Sequence, residues 1–82
     1  MVLHSAVLAY LDEGDRLRFT ESMAALPGHW VSNEGPRVLP DVAATAGEPP
    51  TGRAVGPAPF VLGLDGRAVA WTHGHGRGVS WI

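Results

Sequence analysis

Between Val2 and Asn33 the chain spells a strand, a helix and a second strand, a connection that leaves few folds open. Val2-Leu3-His4 is a short apolar run, and residues 5–11 continue it into one or two helical turns. Asp12 then offers a side-chain oxygen as N-cap, with Glu13 and Asp15 in the first turn, where the helix dipole favours negative charge. The spacing predicts a helix over 13–26, because Phe19, Met23 and Leu26 recur at i, i+4 and i+7 and form one apolar stripe. Pro27-Gly28 ends it, since proline cannot continue the hydrogen-bond ladder and glycine accepts a left-handed exit. His29-Trp30-Val31-Ser32-Asn33 reads as the next strand. Strands joined through a helix run parallel in a right-handed crossover, so their C-terminal ends share one edge.

Residues 36–59 hold six of the seven prolines and few apolar anchors, and they are expected to form a long loop with the character of a lid. Order returns at Phe60-Val-Leu-Gly-Leu64, where Phe60, Leu62 and Leu64 alternate onto one face. Asp65-Gly66 is a strong hairpin signal, because a two-residue primed turn needs positive φ values that these residues accept. Residues 67–73 are the returning strand, with Val69 and Trp71 on one face, and Val79 and Trp81 form a short last strand after Gly74, Gly76 and Gly78. The fold class is therefore α/β, with one strand-helix-strand crossover followed by an antiparallel hairpin and a short last strand. Such a unit belongs to a partial doubly wound sheet. With Met1 directly against the first strand, residues 1–82 are expected to be a single partial α/β domain, the C-terminal segment of a larger one.

Composition narrows the function classes. A formal charge of −2 supplies no basic field for phosphates, which sets nucleic-acid binding aside. Cysteine is absent, so neither a disulfide framework nor a thiolate metal site supports the short core. The longest apolar run, residues 6–11, falls far short of the roughly 18–20 residues of a membrane span, and no signal peptide precedes it. A cytoplasmic location is expected.

Three segments carry a resemblance: His4-Ser-Ala-Val-Leu-Ala-Tyr-Leu11, Trp30-Val-Ser-Asn-Glu-Gly-Pro36 and Leu64-Asp-Gly-Arg-Ala-Val-Ala70. Together they resemble the C-terminal part of an uncharacterised bacterial family known as domain of unknown function 2332. The element order also resembles the ending of class I methyltransferase-type Rossmann folds, whose last strand is inserted antiparallel. The resemblance implies a longer protein in which upstream elements supply the glycine-rich turn and the acidic ribose-binding residue of a nucleotide-like cofactor, S-adenosylmethionine among them. Neither feature is in this chain, so the segment is expected to form one wall of a pocket and to be inactive alone. The alternative is a small non-catalytic binding or pairing module that associates through an exposed sheet edge with another chain or with itself.

Ligands of open α/β sheets bind beyond the carboxyl ends of the strands. His4 and Ser5 leave the first strand and Asn33 and Glu34 leave the second, so these four are the ligand-binding candidates, expected to converge on one edge. Glu34 can accept a proton, His4 can act as acid or base near neutral pH, and Ser5 and Asn33 can orient a ligand. The structural alternative has Ser5 capping the following helix, Asn33 and Glu34 satisfying loop backbone groups, and His4 half-buried and hydrogen-bonded. His73-Gly-His75 is a weak metal candidate, since no third ligand lies at helical or hairpin spacing. The tryptophans at 30, 71 and 81 suit filling the core or covering a sheet face better than ring stacking on a ligand.

Overall fold

The computed structural model of the chain describes residues 1–50, 55–56, 58–74 and 78–82. Among them five strands form one sheet in sequential order: β1 (Val2–Ser5), β2 (Trp30–Glu34), β3 (Phe60–Leu64), β4 (Arg67–Thr72) and β5 (Val79–Trp81). β1 and β2 pair in parallel, with His4 opposite Ser32, and every later pairing is antiparallel. The connection between the parallel strands contains a single 3-10 turn, Leu8–Tyr10, and the helix α1, Glu13–Ala25. The Asp12 carboxylate accepts from the Asp15 backbone N–H at 2.8 Å and caps α1, and Gly28 takes φ +96° just beyond its end. Phe19 and Met23 face the core as the stripe predicts, whereas Leu26 is exposed, because the chain has left the helix by then.

The proline-rich stretch is not the structureless loop expected of it. It contains a short helix, α2 (Pro40–Ala44), and buries Leu39, Val42 and Val55 in the core. Pro40 occupies the first helical turn, where its missing N–H would have no intrahelical acceptor in any case. The Thr45 hydroxyl then donates to the Val42 carbonyl and accepts from the Ala68 N–H, both at 2.8 Å, which ties the end of α2 to β4.

Both helices lie on the same face of the sheet. That face carries Trp30, Val61, Ala68 and Trp71, and together with Leu8, Leu39, Val42 and Val55 these form the core, with Phe19 and Met23 packed against it. Alternation along β4 predicts Val69 beside Trp71, but a bulge opposite Leu62 and Gly63 shifts the register and brings Ala68 into the core instead. Gly63 makes room there for Ser32 and α2: a Cβ at 63 would lie 2.7 Å from Ser32 Oγ and 2.9 Å from Val42 Cγ1. On the opposite face Leu3, Val31, Leu62, Leu64, Val79 and Trp81 stand in adjacent strands, and no described helix covers them. Leu3 is 65 % and Trp81 72 % exposed.

The β3–β4 hairpin turns at Asp65 and Gly66, with φ +53° and +84°, the positive pair that a type I′ turn requires. Asp65 also reaches across to the start of β2. Its carboxylate accepts from the Trp30 N–H at 2.8 Å and meets His29 Nδ1 at 2.9 Å, while its own N–H donates to the Trp30 carbonyl. The Trp30 N–H first, and the His29 ring second, hold the Asp65 carboxyl below its ordinary value of 3.8.

Two outcomes are expected. Gly63→Ala overpacks the contact with Ser32 and Val42 and lowers stability by about 1–3 kcal/mol in urea unfolding. An acid whose folded value is depressed stabilises the protein above its unfolded value, and that contribution disappears as the pH falls through the folded one. The stability difference between the wild type and Asp65→Asn should therefore be largest near neutral pH and shrink as the pH drops below about 4. A difference that stays constant down to pH 3 would remove the charge from this account.

Candidate functional site

The four predicted residues stand at the C-terminal ends of β1 and β2, but they do not converge. Successive side chains of a strand point to opposite faces, so the register splits the set into two pairs. His4 and Glu34 lie on the helix-covered face, and Ser5 and Asn33 lie on the open one.

Glu34 is the more constrained of the first pair, with only 1 % of its surface exposed. Its Oε2 meets His4 Nδ1 at 2.7 Å and accepts from the Val7 N–H at 3.1 Å, while Oε1 accepts from the Leu8 N–H at 3.1 Å. These backbone donors belong to the entry of the 3-10 turn, which has no side-chain cap of its own residues. Glu34, from the neighbouring strand, does the capping that Ser5 was expected to supply. The chain reaches this position through Ala6, whose φ of 55° costs an L-residue about 1–2 kcal/mol, and the Ala6 N–H is held by the Asn33 carbonyl at 3.0 Å.

The tautomer of His4 follows from its second partner. Trp30 Nε1–H can only donate, and it lies 2.8 Å from His4 Nε2, so Nε2 accepts and Nδ1 carries the proton given to Glu34. The ring is further enclosed by Phe19, edge-on at 5.2 Å between centroids, and by the Trp30 ring at 6.1 Å and 27°. Trp30, His4, Glu34 and the turn thus form a closed chain of donors and acceptors. Both His4 nitrogens are used, and no lone pair faces a substrate.

On the open face Asn33 Nδ2 donates to Ser5 Oγ at 3.1 Å, and Asn33 Oδ1 accepts from the Thr72 hydroxyl at 2.7 Å. Thr72 belongs to β4, two strands away, and the sequence reading missed it because only the antiparallel hairpin brings it near. This cluster is a polar patch at one end of the open face, and Arg67 stands beside Leu64 at the hairpin end. The Ser32 hydroxyl, buried beneath α2 beside Gly63, has no hydrogen-bond partner among the described residues.

Two grooves lie elsewhere, against α1 and α2. A groove of about 370 Å³ runs past Arg16, Leu17, Thr20, Arg37 and Asp41. Thr20, Asp41 and Val42 link it to a second of about 390 Å³ beside Met23, Trp30 and Gly66. None of the four predicted residues lines either groove. Arg16 is already committed to the Leu8 and Ala9 carbonyls, at 3.0 and 3.3 Å.

The cofactor implied by the family resemblance does not fit the described residues. Among the described residues no glycine-rich turn joins a strand to a helix N-terminus, and the carboxylate at the C-terminal end of β2 is spent on Val7, Leu8 and His4. Of the metal candidates, His73 sits against Gly56 and donates its backbone N–H to the Gly78 carbonyl, and His75 lies outside the described residues. Among the described residues no group of three or more His, Asp or Glu side chains is placed to hold a metal ion.

A linking role for Glu34 gives a definite expectation. Glu34→Ala leaves the Val7 and Leu8 N–H groups and His4 without their acceptor and should lower stability by at least about 3 kcal/mol, whereas Trp30→Phe, which removes the indole donor and part of the buried ring, should cost about 1 kcal/mol beyond the change in packing. Urea unfolding measures both, and near-wild-type stability of Glu34→Ala would remove Glu34 from this role. No family model, no curated protein and no solved structure matches this chain.

Proposed function

We propose that this chain is a non-catalytic docking unit whose open sheet face is closed by a second layer of protein, as in one half of a doubly wound, methyltransferase-like domain. One observation carries the reading: among the described residues helices cover one face of the sheet only, while the other leaves Leu3, Leu64, Val79 and Trp81 exposed around a buried Ala70. A doubly wound sheet has helices on both faces, and its strands are apolar on both.

The parallel β1–β2 crossover supports the methyltransferase-like form of the reading, in which the covering layer and further strands beyond β1 come from the same polypeptide. The hairpin order speaks for a looser likeness, because β3 rather than the last strand lies next to β2. In this reading S-adenosylmethionine, if the complete domain takes it, is held by the other layer. The pairing reading draws on the β1 edge. Val2 N–H and Ala6 N–H point to β2, so by alternation the backbone groups of Leu3 and Ser5 face outward, and β1 contains neither charge nor proline to guard them. No described helix is long and apolar enough to cross a membrane.

The chain should bind a hydrophobic dye such as anilinonaphthalene sulfonate while folded. Leu3→Lys combined with Leu64→Lys should remove most of that binding and change stability by less than about 0.5 kcal/mol per substitution. Dye binding that survives both lysines would overturn the docking face. The intact mass of the native polypeptide, recovered with an antibody against residues 60–82, distinguishes the sources of the second layer. A mass several times 8.6 kDa puts that layer on the same chain.

A further inference from the structure

At the far side of the sheet from β1, we infer that β5 pairs with β5 of a second copy of this chain, antiparallel and two-fold, centred on Ser80. The inner hydrogen bonds fix which groups are available. His73 N–H donates to the Gly78 carbonyl and Ile82 N–H to the Val69 carbonyl, with Ser80 opposite Trp71. Residues 78, 80 and 82 therefore spend their backbone groups on β4, and by alternation those of Val79 and Trp81 point outward.

A two-fold axis through Ser80 sets Val79 of one copy opposite Trp81 of the other, twice. Each such pair exchanges two N–H to C=O bonds, so four outward donors and four outward acceptors match without remainder. The side chains agree with the backbone. Val79 and Trp81 both lie on the open face, opposite Thr72 and Ala70, and are 45 % and 72 % exposed. Pairing places each indole against a β-branched neighbour, a favourable cross-strand combination.

Natural edge strands are guarded by charge, proline, a bulge or very short length. Val79-Ser80-Trp81 contains no charge and no proline and its register with β4 is unbroken, so its three-residue length is the one guard it has. A second copy meets no like charge within the strand and supplies both members of each Val–Trp pair in the right register. A three-residue edge buries far less than the roughly 1,000 Å² of a stable complex, so the dimer is weak and depends on concentration. It leaves the β1 edge free for the pairing described above.

Sedimentation equilibrium of the full chain from roughly 10 μM to 1 mM tests the inference. The wild type should pass reversibly from monomer to dimer. Val79→Pro removes an outward N–H and keeps the inner bonds, and Trp81→Lys puts a charge on the edge; each should weaken dimerisation about ten-fold or more. The amides of Val79 and Trp81 should also exchange more slowly as concentration rises, a readout that needs no variant and stands even where Val79→Pro fails to fold. A wild type that stays monomeric to 1 mM overturns the inference, as do a dimer that neither substitution weakens and amides that ignore concentration. Failure here is distinguishable from failure of the docking face, because the lysines at positions 3 and 64 test that face without touching β5.

Discussion

The Glu34 carboxylate is the interaction on which the first half of this structure depends. It is placed by β2, yet all its partners come from the preceding crossover: His4 in β1, and the Val7 and Leu8 N–H groups at the entry of the 3-10 turn. A parallel pair of strands lacks the tight turn that fixes an antiparallel one, so register must be set by contacts of this kind. Here the carboxylate's geometry sets it. Slipping β1 by one residue would exchange His4 for Leu3 or Ser5, put an apolar or a short side chain against the acid, and leave the Trp30 indole without an acceptor. The left-handed backbone at Ala6 is tolerable because the residues on either side of it are already tied to β2.

The second half is organised by a smaller acid in the same manner. Asp65 sits at the tip of the β3–β4 hairpin and accepts from the N–H of Trp30, the first residue of β2. Trp30 is therefore gripped from two directions, by Asp65 at its backbone and by His4 at its indole, and its ring lies in the core between them. This explains how α1, which buries none of its residues completely, can be held against the sheet by Phe19 and Met23. Polar links fix the strands, and the helix layer then has a defined surface to cover.

Features governed by neighbouring residues were legible in the sequence, while features governed by distant ones were not. The Asp12 cap, the exit at Gly28 and the Asp65-Gly66 turn each depend on a few adjacent residues, and each is found where the residues place it. The helix α2 escaped notice because five residues carry no periodicity, although Pro40-Asp41 at its start is a recognisable entry signal. The bulge that substitutes Ala68 for Val69 in the core has no local signature. It follows from the partner strand, where Gly63 lies under α2. Thr72 was invisible as a neighbour of Asn33 for the same reason, since its contact spans two strands.

The strand ends teach a sharper lesson, because there the necessary rule was local and sufficient. His4 and Ser5 are adjacent in one strand, as are Asn33 and Glu34 in the other, so no parallel register can turn all four toward one ligand. Alternation alone leaves two pairs on opposite faces, and the core decides between them: the pair beneath α1 becomes buried and saturated, and the pair on the open face stays polar and reachable. Chemistry at the buried pair would require breaking the Trp30–His4–Glu34 chain that holds the register. At the strand ends the groups still open to a ligand are therefore those of Ser5 and Asn33, not the buried acid and its histidine.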